Sequence, residues 1–192
     1  MPRAVAWLQG VTLAWMLVEC GVALFAAWHA RSVALLAFGS DSFVELLSAV
    51  VVLLQFAPVF RLSRERAARV AALLLFALAA VVVVLAAVSW RQPAETSGAG
   101  MAITALALVV MPILAALKRK EARKLGNAAL AADAAQSATC AWLAAVTLVG
   151  LAANALWHIT WIDSAAALVA VPILVIEGRR AWHGEVCGCG VC

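Results

Sequence analysis

Residues 32–54, SVALLAFGSDSFVELLSAVVVLL, form a run long and apolar enough to cross a bilayer, yet Asp41 and Glu45 stand four residues apart near its middle. An i, i+4 pair lies on one face of a helix. An ionised carboxylate at bilayer depth costs about 2.5 to 3.5 kcal/mol on insertion scales, so two on one stripe require a partner. A cation enclosed by the rest of the chain is the partner this pattern predicts.

The surrounding sequence supports a membrane setting. Of 192 residues, 67% are hydrophobic and 12% charged, against about 45 to 50% apolar and 25% charged in soluble domains. A crossing needs about 20 apolar residues. Six such segments are expected, at about 4–28, 32–56, 70–90, 101–117, 125–156 and 162–176. The expected fold is therefore all-α, a polytopic membrane protein with six transmembrane helices spanning residues 1–182, followed by a short tail at 183–192. The third segment is nearly pure Ala, Val and Leu and offers packing surface only. The first contains Glu19 and is longer than a signal-peptide core, so it is expected to be retained. Pro112 is expected to kink the fourth. The fifth is too long for one perpendicular crossing, so its first turns are expected to lie at the interface or the helix to tilt.

The net charge is +4, but the basic residues fall in short loops and form no single basic face, so no nucleic-acid partner is expected. Arg61, Arg64, Arg66 and Arg69 lie between segments two and three, and KRKEARK at 118–124 is the strongest basic cluster, read as the loop between four and five. The positive-inside rule then places both termini in the cytoplasm. The expected location is a bacterial inner (plasma) membrane. Five cysteines, two of them inside apolar segments, make a disulfide framework unlikely to be the organising principle.

Four acids lie within apolar segments: Glu19, Asp41, Glu45 and Asp133. Segment five adds Gln136, Ser137, Thr139 and Cys140 around Asp133. A rise of about 1.5 Å per residue puts Asp41 roughly 13 Å from one membrane edge and Gln136 roughly 18 Å from the other. In a core about 30 Å thick these are similar depths. By the same count Glu45 falls near Asp133, and Cys140 can stand beside Asp41 within one helical turn. The predicted midplane metal site is Asp41, Glu45, Asp133, Gln136 and Cys140, whose mixed ligands suit a borderline ion such as Zn(II). A buried polar network that only joins helices is one alternative; a proton relay, with Glu19 as a member, is another.

The run SVALLAFGSDSFVELLSAVVVL resembles the second transmembrane helix of the cation diffusion facilitator family, whose acid-x-x-x-acid motif supplies half of a tetrahedral metal site. That family's fifth helix supplies the rest through His-x-x-x-Asp, preceded by Ala-Asp. In AADAAQSATC the pair Ala132-Asp133 matches, which sets Gln136 at the histidine position and Cys140 at the second acid. Gln is a poorer ligand than His, so either Asp133 takes over or the site is looser. The family's cytoplasmic domain has no counterpart here, and the chain looks like a minimal, transmembrane-only relative. The resemblance implies export of Zn(II) or a similar divalent ion in exchange for protons, with the metal as substrate and no organic cofactor. A homodimer through the helices is plausible.

The C-terminus, HGEVCGCGVC, gathers His183, Cys187, Cys189 and Cys192, donors that suit soft metal ions. On the cytoplasmic side it would stay reduced; palmitoylation is an alternative use of such cysteines. His29 and His158 are read as interfacial, Asp163 as a helix N-terminal acid, and Glu177 as a partner of Arg179 and Arg180. No enzyme is expected; a thiol-disulfide redox enzyme is a weaker third option, since no Cys-x-x-Cys sits at a helix N-terminus. The rival to a transporter is a non-transporting metal sensor or anchor that works through the Cys tail. Deleting residues 187–192 separates them: a transporter keeps residual metal flux in proteoliposomes, whereas a tail-based binder loses its metal affinity.

Overall fold

The computed structural model describes residues 3–54, 64–90, 94–126, 128–158 and 161–183. These form six helices and no strand: α1 (Arg3–Ala30), α2 (Val33–Leu54), α3 (Arg64–Ser89), α4 (Gly98–Leu125), α5 (Ala128–Trp157) and α6 (Ile162–His183). Stretches within Val5–Ala30, Ala72–Ser89, Gly98–Leu125 and Asp133–Trp157 are long and apolar enough to cross a membrane. Large apolar side chains such as Trp7, Leu17, Phe25, Val109, Ile113, Trp142 and Val149 face outward. A water-soluble bundle would turn these groups inward. The arrangement fits a membrane protein.

Packing pairs α4 with α5, α3 with α6, and α1 with α2, while α2 also touches α3, α5 and α6. Small residues permit the close approaches. A Cβ on Gly150 of α5 would stand 2.6 Å from the Ala166 Cβ of α6, and one on Gly39 of α2 would stand 3.1 Å from the Ala23 Cβ of α1. Such contacts bring helix backbones together where apolar burial supplies little preference over lipid.

One end of the bundle is closed by polar contacts. Arg31 adopts a left-handed φ of 52°, and Ser32 N–H donates to Ala27 O at 3.2 Å, turning the chain from α1 into α2. Leu35 N–H donates to Ser32 Oγ at 3.1 Å. Asp163 of α6 accepts from Ser32 Oγ at 2.5 Å, from Val33 N–H at 2.7 Å and from Ala34 N–H at 3.4 Å. The first-turn donors of α2, which a helix cannot satisfy internally, are thus taken by two side chains. Asp163 opens α6 as expected, but its carboxylate caps the neighbouring helix as well as lying in its own first turn. Nearby, Asn154 Nδ2 donates to Ala94 O at 2.8 Å and Glu95 N–H to Ala30 O at 2.8 Å.

One sequence expectation is corrected. KRKEARK is not a loop: α4 continues through it to Leu125, because Lys, Arg, Glu and Ala are good helix formers and nothing interrupts them before glycine. Gly126, at φ 56°, then closes the helix with its N–H on Ala122 O. The fifth segment remains long: α5 runs Ala128–Trp157, 30 residues or about 45 Å, still more than one perpendicular crossing needs. Pro112 and Pro172 lie inside α4 and α6, each a single helix by its hydrogen-bonded course.

Asp163→Ala removes a charged acceptor with three donors, and a destabilisation of about 1.5 to 3 kcal/mol follows. Ser32→Ala, the loss of one cap, costs about 1 kcal/mol. Thermal unfolding in detergent checks the order of the two variants.

Candidate functional site

Four helices send polar side chains into the interior. From α2 come Asp41, Ser42 and Glu45; from α5, Asp133, Ser137 and Cys140; from α1, Gln9 and Glu19; and from α4, Lys118, all of them buried. They gather in two neighbouring groups.

The first is built on Lys118. Its Nζ donates to Ser137 Oγ at 2.8 Å, and stands 3.1 Å from Asp133 Oδ2 and 3.7 Å from Glu45 Oε1. Ser137 Oγ donates in turn to Glu45 Oε1, and Gln9 Nε2 donates to Asp133 Oδ2 at 2.8 Å. The side chains of Lys118, Glu45 and Asp133 are wholly inaccessible. Two carboxylates thus face one ammonium, leaving an excess of one acidic group. Glu45 Oε2, Asp133 Oδ1 and Gln9 Oε1 have no hydrogen-bond partner among the described residues. Buried acceptors are ordinarily paired, and three orphans in one cluster mark a place short of donors or cations.

The second group is built on Glu19. Trp15 Nε1 donates to its Oε2 at 2.5 Å, Ser42 Oγ to its Oε1 at 2.6 Å, and the Cys140 thiol to Oε1 at 3.4 Å. Ser42 and Cys140 are 3.9 Å apart. Asp41 is 3% exposed and makes no side-chain hydrogen bond among the described residues. The two groups share helices α2 and α5, which supply Glu45 and Ser137 to one and Ser42 and Cys140 to the other. On their flank, Thr139 Oγ1 donates to Glu177 Oε1 at 2.8 Å, and Arg180 lies 3.4 Å from the same oxygen. Thr139, Glu177 and Arg180 line a shallow groove of about 310 Å³ between α5 and α6.

Of the predicted site residues, Glu45 and Asp133 meet, with Lys118 between them. Cys140 lies beside Glu19, and Asp41 is the helical neighbour of Ser42. Gln136 is half-buried and belongs to neither group; Ser137, one position on, takes the inward place. Among the described residues no three His, Cys, Asp or Glu side chains are placed to hold one metal ion. Lys118 Nζ stands within 4 Å of both Glu45 and Asp133. His183 ends α6 with an exposed side chain, and Cys187, Cys189 and Cys192 lie outside the described residues.

Lys118 and Gln9 were not anticipated as site members. Lys118 had a signal available, since Met111, Ala115, Lys118 and Ala122 recur at helical spacing and are all buried. Gln9 is one polar residue near the start of an apolar helix and carried none. No protein-family model matches the chain, and no curated protein matches it.

Lys118→Met strands two buried carboxylates and is expected to destabilise by about 3 to 5 kcal/mol. Adding Glu45→Gln should recover part of that loss, with a coupling of about 1 to 3 kcal/mol. Melting of the two single variants and the double variant in detergent measures it.

Proposed function

We propose that the chain is a secondary transporter with six membrane spans and cytoplasmic termini, which moves a divalent transition-metal ion, Zn(II) foremost, out of the cytoplasm across the plasma membrane. The observation that carries this reading is the burial of four acids, Glu19 on α1, Asp41 and Glu45 on α2 and Asp133 on α5, in and beside two neighbouring polar groups. Acids inside an apolar bundle are expensive and mark ion or proton pathways. A bundle held only by packing has no need of them. The ion class, the outward direction and exchange for protons rest on the likeness of the α2 motif to the cation diffusion facilitators.

In this mechanism Asp41 and Glu45 on α2, joined by Asp133 and Cys140 from α5, take the ion when the interior opens to the cytoplasm. Protonation of the same carboxylates releases it when the interior opens to the other side, because metal and proton compete for the same oxygens. Glu19, hydrogen-bonded to Ser42 and Cys140, is placed to pass protons to and from this group. A homodimer through the outward-facing helices is compatible with this scheme.

Zn(II) flux into proteoliposomes tests the reading. Asp41→Ala should lower it by at least about tenfold, the equivalent of about 1.4 kcal/mol of lost binding. Flux undiminished in that variant would sink the proposal.

A further inference from the structure

Lys118 is a costly feature that the transport scheme does not use. A lysine two turns from a helix end would ordinarily extend its stem and keep its ammonium in water. Its neighbours Arg119, Lys120, Arg123 and Lys124 are exposed, whereas Lys118 is turned inward and is 0% exposed. It has three acceptors close by, donating to Ser137 Oγ at 2.8 Å and standing 3.1 Å from Asp133 Oδ2 and 3.7 Å from Glu45 Oε1. Two of those acceptors belong to the proposed metal ligands.

We infer that Lys118 is a tethered cation that occupies the Glu45 and Asp133 carboxylates between transport events and is displaced by the incoming ion, and that it sets the preference for divalent over monovalent cations. The inference rests on the transport reading above.

Charge arithmetic gives the selectivity. With Lys118 in place, the two carboxylates carry one uncompensated negative charge. A monovalent ion that displaced the ammonium would restore the same balance and gain nothing over the tethered group, which needs no entropy of capture. A divalent ion neutralises both carboxylates. Coexistence is disfavoured, since an ammonium and a metal ion within a few ångströms repel strongly in an interior of low dielectric. The unpartnered oxygens Glu45 Oε2, Asp133 Oδ1 and Gln9 Oε1 are acceptors that the ammonium does not reach and a metal can recruit.

A displaced ammonium has somewhere to go. Glu121 lies three residues further along α4, a spacing at which side chains meet. It is held at present by Lys124 at 2.6 Å in a part-exposed pair. Rotation of the flexible Lys118 stem toward Glu121 exchanges two buried carboxylate partners for one part-exposed carboxylate without unfolding the helix. Lys118 is thus a positioning and selectivity group whose two homes correspond to an empty and a loaded interior.

The test uses the full-length protein in lipid nanodiscs, treated with acetic anhydride and read by peptide mass spectrometry at Lys118. Exposed Lys120 and Lys124 serve as internal references. Lys118 should be protected in the metal-free protein, become acetylated several-fold faster with Zn(II), and remain protected with Na⁺ or K⁺. In proteoliposomes, Lys118→Met should bind Zn(II) about tenfold more tightly and lose discrimination against monovalent ions. If that variant does not fold, the labelling of the natural protein decides alone. Zn(II) flux that is abolished by Asp41→Ala yet leaves Lys118 protected overturns the displacement while sparing the transport reading. Absence of Asp41-dependent flux together with unchanged labelling overturns both.

Discussion

The arrangement depends on a single ammonium buried against two carboxylates. In an apolar interior each of these groups is unfavourable alone, and each becomes tolerable only through the others. Because Lys118 comes from α4, Glu45 from α2 and Asp133 from α5, their mutual need fixes three helices to one another in rotation and in depth. Gln9 adds α1 through its bond to Asp133. Apolar packing between helices in lipid specifies register weakly, since one leucine contact resembles another. Here the polar contacts supply the register.

At the opposite end a second polar assembly does comparable work. Asp163 and Ser32 satisfy the first-turn donors of α2, so that helix is anchored by α6 at its start and by α4 and α5 near its middle. Between these anchors stand Ser42 and Asp41, with Ser42 on Glu19 of α1. The helix with the most unusual sequence is thus the one most fully surrounded. Helices α3 and α6, which pack on each other, supply apolar core side chains such as Leu75, Ala79, Ala170 and Leu174.

Much of this was legible in the sequence. The six apolar segments stood out by length, and Asp41 and Glu45 by being out of place within one of them. The depth comparison brought Glu45 to Asp133 because helical rise is constant. It did not separate Gln136 from Ser137: positions i+3 and i+4 from Asp133 lie on one broad face, and tertiary contact with Lys118 selects Ser137 and leaves Gln136 half-buried. Lys118 was missed because a cation at the end of an apolar run reads as a loop charge. Hydropathy marks where apolar character stops; helix propensity, which carries α4 on to Gly126, marks where the helix stops. Asp163 was recognised as a helix-start acid, but its service to α2 depends on tertiary contact alone.

Gly126 has a consequence for how such a chain enters a membrane. By ending α4 and admitting α5 two residues later, it makes the two helices a tight antiparallel hairpin whose facing sides carry Lys118 and Asp133, fifteen positions apart. Their charges can cancel within that hairpin before Glu45 is near. A helix entering lipid with a lone lysine, or a lone aspartate, meets an insertion barrier of about 2.5 to 3.5 kcal/mol. Carried into lipid together, the two helices present a paired charge in place of two lone ones.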